Sequence, residues 1–319
     1  MRLLDIETAL PDTVVEIEAY RDRFAHFDLA VARSGVARKY VAGPDETALD
    51  LADAAWQRLE ARRPRLLETL DALIFVTQTP DHQFPGNSFL LLDRLGQTHP
   101  LINYDLNQGC AGFLYAAHLV QGMMAAGQAR RVAVVFSDTY SKLIDPDDRG
   151  ASLLFGDAAA VALFSEEEGA YSARAAEVRP LAQLNQLFTA RGGAARNAYH
   201  GPPPRIEMQG AALLEVLCKH APGFIEAHLE AQGLRMADID LVVPHQASQI
   251  ALDQLETALD TSGGVLFKNL SQFGNTTSAS IPIALHEALY ADGARPVSRV
   301  LVFGFGVGFS MGTMVLDAA

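Results

Sequence analysis

Three residues of this 319-residue chain have the types needed for covalent chemistry at a carbonyl carbon: Cys110 in "NQGCAGF", His245 in "VVPHQAS" and Asn275 in "FGNTTSASIPIAL". Each also has an ordinary structural explanation. An isolated cysteine is as a rule a packing residue, a histidine after a strand is commonly structural, and an asparagine before a helix commonly caps it. Their settings add to this. Cys110 lies between Gly109 and Ala111-Gly112 where a long apolar run begins. A helix N-terminus there would stabilise a thiolate and lower its pKa. Small neighbours leave room for a thioester, and a backbone N–H can serve as an oxyanion donor. His245 stands just beyond a buried strand, stiffened by Pro244, where α/β folds gather ligands. Gly274 frees the backbone before Asn275, whose amide offers donors without charge. Cys218, in "LLEVLCKHA", has no such setting and is expected to be a packing residue.

The elements that must position these groups alternate between strand and helix. "DALIFVTQ" (71–78), "RVAVVFSD" (131–138) and "AAAVALF" (158–164) are continuous apolar runs, and the charged stretch 46–70 is helical up to a break at Pro64. "AGFLYAAHLVQGMMAAG" (111–127) is apolar enough to suggest a membrane span, but His118 and Gln121 interrupt it. It also falls short of the ~20 residues a bilayer needs, so a buried helix is expected. Strands covered on both faces by helices indicate an α/β class.

The second half repeats this order. "DLVVPHQ" follows "LIFVTQ" at an offset of 168 (Leu73 to Leu241), and "RVLVFGFGVG" follows "RVAVVFSD" at the same offset (Arg131 to Arg299). Cys110 and Asn275 stand 165 apart, close to that register. The chain is therefore expected to be an internal duplication with its chemistry where the halves meet. The expected units are an N-terminal half, 1–165, carrying the cysteine, and a C-terminal half, 166–319, carrying the histidine and asparagine. An irregular Gly/Pro/Arg-rich cap loop is expected over 182–205.

Composition narrows the function. The net charge of −13 argues against non-specific nucleic-acid binding. Two cysteines cannot form a disulfide framework, which predicts reduced thiols and a cytoplasmic location. "MRLLDIETALPD" has neither a basic leader nor an apolar core, so no signal peptide is expected.

Taken together, "NQGCAGF", "DRGASLLFGDAAA", "VVPHQAS", "FGNTTSASIPIAL" and "FGFGVGFSMG" resemble the ketoacyl synthase III family of the thiolase superfamily, in order and spacing, from about Val31 onward. The resemblance implies a thiolase-like fold in α-β-α-β-α layers. It implies Cys110 as the acyl-accepting nucleophile, with His245 and Asn275 as an oxyanion hole for a malonyl thioester. The backbone N–H groups of Cys110 and Val307 would hold the tetrahedral oxyanion, and Phe305 would keep water from the reacting carbons. Arg33 and Arg149 match positions near the nucleotide end of coenzyme A, although a surface salt bridge would account for either. Gly150, Leu154, Phe155, Gly210 and Leu214 would line the pantetheine tunnel, with Ser248 near its mouth. Phe84 resembles a residue that reaches into a partner subunit, implying a homodimer with "RVAVVFSD" or its neighbours near the interface. No cofactor or metal is implied; the substrates would be acyl-CoA and malonyl-CoA or a malonyl-acyl carrier protein.

The chain departs from the family in several places. Leu29 replaces an adenine-stacking tryptophan, Ser248 an asparagine, and Ile250 and Glu215 replace cations used to dock a carrier protein. Losing those cations should weaken steering of an acidic carrier, which points to coenzyme A thioesters or a differently docked carrier, and to a specialised pathway. "IETALPD" fits the family's first strand poorly. Three rival functions remain to be weighed. An acyltransferase using the same cysteine would need His245 as a base but no enolate hole. A papain-like Cys-His-Asn hydrolase shares the chain order, but its local motif is absent. A non-catalytic partner subunit would be free to lose its reactive groups, and all three are present.

Overall fold

Strands and helices alternate as the apolar runs predict. The computed structural model describes residues 1–192, 203–261, 264–291 and 293–319. The chain begins with β1 (Arg2–Ala9), β2 (Thr13–Glu16), α1 (Phe27–Ser34), β3 (Arg38–Val41) and α2 (Ala48–Arg62). It continues with β4 (Ala72–Val76), α3 (Asn87–Arg94), β5 (Ile102–Leu106), α4 (Gly112–Ala125), β6 (Arg131–Asp138), α5 (Arg149–Ser152) and β7 (Ala158–Ser165). The remainder holds β8 (Tyr171–Ala173), β9 (Glu177–Pro180), β10 (Phe188–Arg191), β11 (Arg205–Met208), α6 (Gly210–Ala231) and β12 (Leu241–Pro244). Last come α7 (Gln249–Ala258), α8 (Leu270–Phe273), α9 (Ser280–Leu289), β13 (Arg299–Gly306) and β14 (Ser310–Ala318). Local chemistry sets the boundaries. A capping box between Thr47 and Asp50 opens α2, and the helix ends at Arg62, just before Pro64.

One sheet runs in the order β12-β13-β14-β8-β1-β7-β6-β4-β5, with β9 pairing β14. The repeat is visible in its ladders. In each half a parallel pair (β4 with β6, β12 with β13) is followed by two antiparallel neighbours, β7 and β1 in one, β14 and β8 in the other. β5 pairs β4 in parallel; its counterpart beside β12 is reduced to a single parallel bridge, Val242 to Leu266. The halves join where Arg2 and Leu3 pair with Ser172 and Tyr171.

Burial of alternate residues separates the layers. Along β6, Val132, Val134 and Phe136 pack inward against α4, whereas Ala133 and Val135 pack outward with α2 and α3. Along β13, Val300 and Val302 face the same inner layer, and Leu301, Phe303 and Phe305 face α6 and α7. The inner layer is α4 and α9, whose first residues, Gly112 and Ser280, hold the same offset as the repeated strands. Each packs across the seam, α4 on β13 and β14, α9 on β1 and β7. The order is α-β-α-β-α, a thiolase fold. No helix among the described residues is long and apolar enough to cross a membrane.

Three expectations are revised. β1, a poor strand by sequence, lies at the centre of the sheet between β7 and β8. Its Asp5 is buried and held by Arg62 and Arg63 of the segment ending α2, at 3.1 and 2.6 Å. Cys218 is exposed rather than packed. The expected cap loop 182–205 is partly regular, since β10 and β11 form an antiparallel pair from Phe188–Met208 to Arg191–Arg205; residues 193–202 lie outside the described ones.

Candidate active site

Cys110 sits in the turn that leads into α4, where the Gly112 N–H donates to the Gly109 carbonyl at 2.7 Å. The thiol is buried in the lining of a cleft, close against the end of β13. A Cβ on Gly306 would lie 2.6 Å from Cys110 Cβ and 3.0 Å from Sγ, so only glycine lets that strand come so near. The expectation of a lowered thiol pKa is not met. Burial, and then the Asp138 carboxylate, push it up to about 12, although a backbone hydrogen bond pulls the other way. At ordinary pH the Cys110 side chain is a neutral thiol.

His245 leaves β12 with its N–H donating to the Phe303 carbonyl at 2.8 Å. Its ring meets Phe305 edge-on at 5.7 Å. Burial pushes its pKa down to about 3, so it is neutral at ordinary pH. Nδ1 is sealed without a partner among the described residues, which leaves Nε2 to face an occupant of the cleft. Asn275 is held by both ends. Its backbone bridges Phe155, with N–H donating to Leu154 O (2.9 Å) and O accepting from Gly156 N (3.1 Å). Its side-chain Oδ1 accepts from Thr277 N at 3.0 Å, which turns Nδ2 toward the histidine loop, where one hydrogen goes to Ala247 O at 3.2 Å. The other is available to a ligand. Gly274, at φ +69°, comes so near Leu154 O that a Cβ would stand 2.6 Å from it.

Two buried ionisable groups brace this arrangement, and neither is singled out by sequence. The Asp138 carboxylate accepts at Oδ1 from Gln78 N (2.7 Å), Thr77 Oγ1 (3.2 Å) and Thr79 Oγ1 (3.4 Å). At Oδ2 it accepts from Ser278 Oγ (2.5 Å), Thr277 Oγ1 (2.7 Å) and Ser278 N (3.3 Å). It thereby ties the end of β6 to the segment after Asn275, while burial raises its own pKa against those donors. Lys39 of β3 donates to Ser152 O (2.6 Å) and Phe155 O (2.9 Å), on the strip of backbone that bridges Asn275. Burial lowers its pKa to about 8.

A cleft of about 470 Å³ gathers Cys110, His245 and Asn275 with Arg33, Arg149, Gly150, Leu154, Phe155, Gly210, Leu214, Ser248 and Phe305. Leu29 and Ile250, both exposed, stand at its mouth. Ser248 also caps α7, and Arg149 Nη1 donates to Ala25 O at 2.5 Å. Gly306, Phe309 and Phe188 line the cleft without having been expected there; the Gly-rich "FGFGVG" run was the available signal for the first of these. Val307 follows Gly306 and sits outside the lining. Phe84 lies apart from the cleft at 85% exposure. No group of three or more metal-ligating side chains occurs among the described residues.

The pattern described as 3-oxoacyl-[acyl-carrier-protein (ACP)] synthase III matches residues 104–179, and its C-terminal counterpart matches 229–318. The beta-ketoacyl-[acyl-carrier-protein] synthase III 3 of Streptomyces coelicolor is 32% identical over 296 residues, covering 89% of this chain and 87% of that protein. The crystal structure of a 3-oxoacyl-(acyl-carrier protein) synthase from Burkholderia xenovorans superposes with a TM-score of 0.91 at 27% identity, over 100% of this chain and 94% of that one. The priming beta-ketosynthase of the R1128 polyketide pathway gives 0.88 at 25% identity, over 100% and 97%.

Proposed function

The chain belongs to the β-ketoacyl-[acyl-carrier-protein] synthase III family, and from that premise we propose that it condenses an acyl thioester with a malonyl thioester through Cys110. The observation that carries this reading is the opening of one cleft onto a thiol, a neutral imidazole and a carboxamide from distant parts of the chain.

In the first step Sγ of Cys110 bonds to the acyl carbon, the donor's C–S bond breaks, and the departing thiolate takes up the proton the cysteine gives. In the second, the malonyl C–C bond breaks and carbon dioxide leaves. The electron pair moves onto the thioester oxygen as an enolate between His245 Nε2–H and Asn275 Nδ2–H. Neutral donors suit this step because they bind the developing anion more strongly than the ground-state carbonyl. The imidazole is neutral because it is buried. The enolate carbon then attacks the acyl carbon, and the resulting oxyanion is held by the backbone N–H groups of Cys110 and Val307. On collapse the Cys110 thiolate leaves and is reprotonated from solvent. Phe305, edge-on to His245, excludes water from the carbanion.

Arg33 and Arg149, on the cleft, suit the nucleotide end of acyl-CoA, and Gly150, Leu154, Phe155, Gly210, Leu214 and Ser248 suit pantetheine. The malonyl group arrives on coenzyme A or on a carrier protein; Ile250 at the mouth supplies no cation for the latter. A homodimer fits exposed Phe84 and β5, one of the two end strands of the sheet, with exposed Tyr104. β6, by contrast, lies inside the sheet.

The test is mass spectrometry after incubation with acyl thioesters, followed by malonyl-CoA. Mass is expected on the native protein and not on Cys110→Ala. Asn275→Ala is expected to accept the acyl group and release carbon dioxide at about a hundredth of the native rate or less. Decarboxylation by that variant at the native rate would refute the role given to the amide.

A further inference from the structure

Lys39 of β3 and Asn275 are distant in the chain, yet they grip the same short strip of backbone after α5. Leu154 O accepts from Asn275 N, and Gly156 N donates to Asn275 O. The carbonyl between them, Phe155 O, accepts from Lys39 Nζ at 2.9 Å. Ser152 O, at the end of α5, accepts from the same ammonium at 2.6 Å. The lysine stem also touches both partners of this junction. A Cβ on Gly156 would stand 3.3 Å from Lys39 Cβ, and one on Gly274 would stand 3.4 Å from it. Lys39, Ser152, Phe155 and Asn275 are all buried, so removing the ammonium takes a donor from two carbonyls shut away from water.

The groups facing the ammonium are the Asp157 carboxylate and the Tyr20 ring, the latter 5.6 Å from Nζ. Asp157 is occupied by other donors: Ala42 N at 2.8 Å, Ser141 N at 2.8 Å and Ser141 Oγ at 2.5 Å. The hydrogen bonds of Lys39 therefore go to main-chain carbonyls, and what it holds is the path of the chain beside Asn275. Leu154 and Phe155 wall the cleft for both thioesters, so a slackened wall weakens both half-reactions alike. The Asn275 amide serves only the second.

Resting on the condensing reaction above, we propose that Lys39 is a positioning residue for the malonyl half of that reaction: it fixes Ser152 and Phe155 so that the Asn275 amide stands where the enolate oxygen forms.

The experiment follows two steps in single turnovers, acylation of Cys110 from an acyl-CoA and release of carbon dioxide from malonyl-CoA by the acylated protein. Lys39→Met keeps the stem and removes the donors. It is expected to load Cys110 within about threefold of the native rate but to release carbon dioxide at about a tenth of it or less, since displacement by ~1 Å can cost about a hundredfold. Joined to Asn275→Ala it is expected to add no further loss, because a residue that acts through the amide has nothing to act on once the amide is gone. An equal fall in both steps, or an independent further loss in the double variant, overturns the proposal.

Should Lys39→Met not fold, the native protein decides. Burial lowers the Lys39 pKa to about 8, so the ammonium is present below that pH and lost above it, and the amine left behind donates more weakly. His245, at about 3, stays neutral throughout, and the Cys110 sulfur is already acylated. Carbon dioxide release by the acylated native protein is then expected to fall severalfold between about pH 7 and 9.5, and a level rate overturns the proposal. No acylation of native Cys110, or no carbon dioxide from the acylated native protein, overturns the condensing reaction itself.

Discussion

Gly306→Ala tests how tightly Cys110 is confined. Gly306 is the last residue of β13 and has no left-handed backbone that would call for glycine. Space alone restricts it. The added methyl would lie 2.6 Å from Cys110 Cβ, about 0.8 Å inside the 3.4 Å at which ordinary contact begins. Neither partner can yield easily. One is the last rung of an eight-residue strand paired to Ser310, and the other is the turn that starts α4. Overpacking of this kind costs about 1–3 kcal/mol, which at ~2–4 °C per kcal/mol is a fall in Tm of several degrees. Misplacing a nucleophile by ~1 Å costs about a hundredfold in rate. The same substitution at Gly122, exposed within α4 with nothing within 4 Å of its Cβ position, should raise stability by about 0.5–1 kcal/mol, since alanine is the better helix former. Calorimetry and the rate of Cys110 acylation, measured on both variants, are the assays. If Gly306→Ala melts at or above the native temperature and loads acyl groups at the native rate, the wall over Cys110 is not the rigid one described.

Three further outcomes follow from two buried ionisable groups, His245 and Asp138. The unfolded chain protonates His245 near 6.5, whereas the folded one resists until about 3. Stability that is fully present above 6.5 is therefore lost as pH falls toward 3, by up to about 1.4 kcal/mol per unit from this group. Urea unfolding at pH 7, 6 and 5 should show a shallower decline in His245→Gln than in the native protein, and equal slopes would refute the assignment. Asp138→Asn places an NH2 where three donors now point, and should cost about 3 kcal/mol or more in denaturant unfolding. Removing that negative charge should also move the pH profile of Cys110 alkylation downward, because Asp138 helps to raise the thiol's pKa. An unchanged profile would mean the carboxylate does not act on the sulfur.

The parts legible in the sequence were those written in continuous apolar runs and their spacing. β4, β6, β7, β12 and β13 appear where those runs lie, and the offset between the repeated strands also separates the starts of α4 and α9. β1 was obscure because Asp5 interrupts its apolar pattern; the arginines that satisfy that carboxylate, Arg62 and Arg63, come from the far end of α2. The motif residues around Cys110, His245 and Asn275 were visible as residue types in context. Their supports were not. Nothing in the pattern of residues marks Lys39 as a buried ammonium on two carbonyls, or Asp138 as the acceptor for donors from two distant segments, since burial of a polar group depends on partners supplied from elsewhere in the chain. The rise in the Cys110 pKa was missed for the same reason. A helix N-terminus can be read from a local run of residues, but the depth of the sulfur beneath β13 cannot. Cys218 shows the converse: lacking a setting like that of Cys110 it was expected to pack, but it lies exposed on α6.

The inner pair of helices has a consequence for the order of synthesis. Cys110 is made early, whereas His245 and Asn275 both belong to the last third of the chain. Because α4 rests on β13 and β14, which come from the far end of the polypeptide, a nascent chain that stops at the end of β7 has an apolar helix with half of its bed still unmade. Its thiol is likewise without the imidazole and amide. The cleft that gathers these three groups is therefore completed late, so a chain cut after β7 would carry Cys110 without His245 and Asn275.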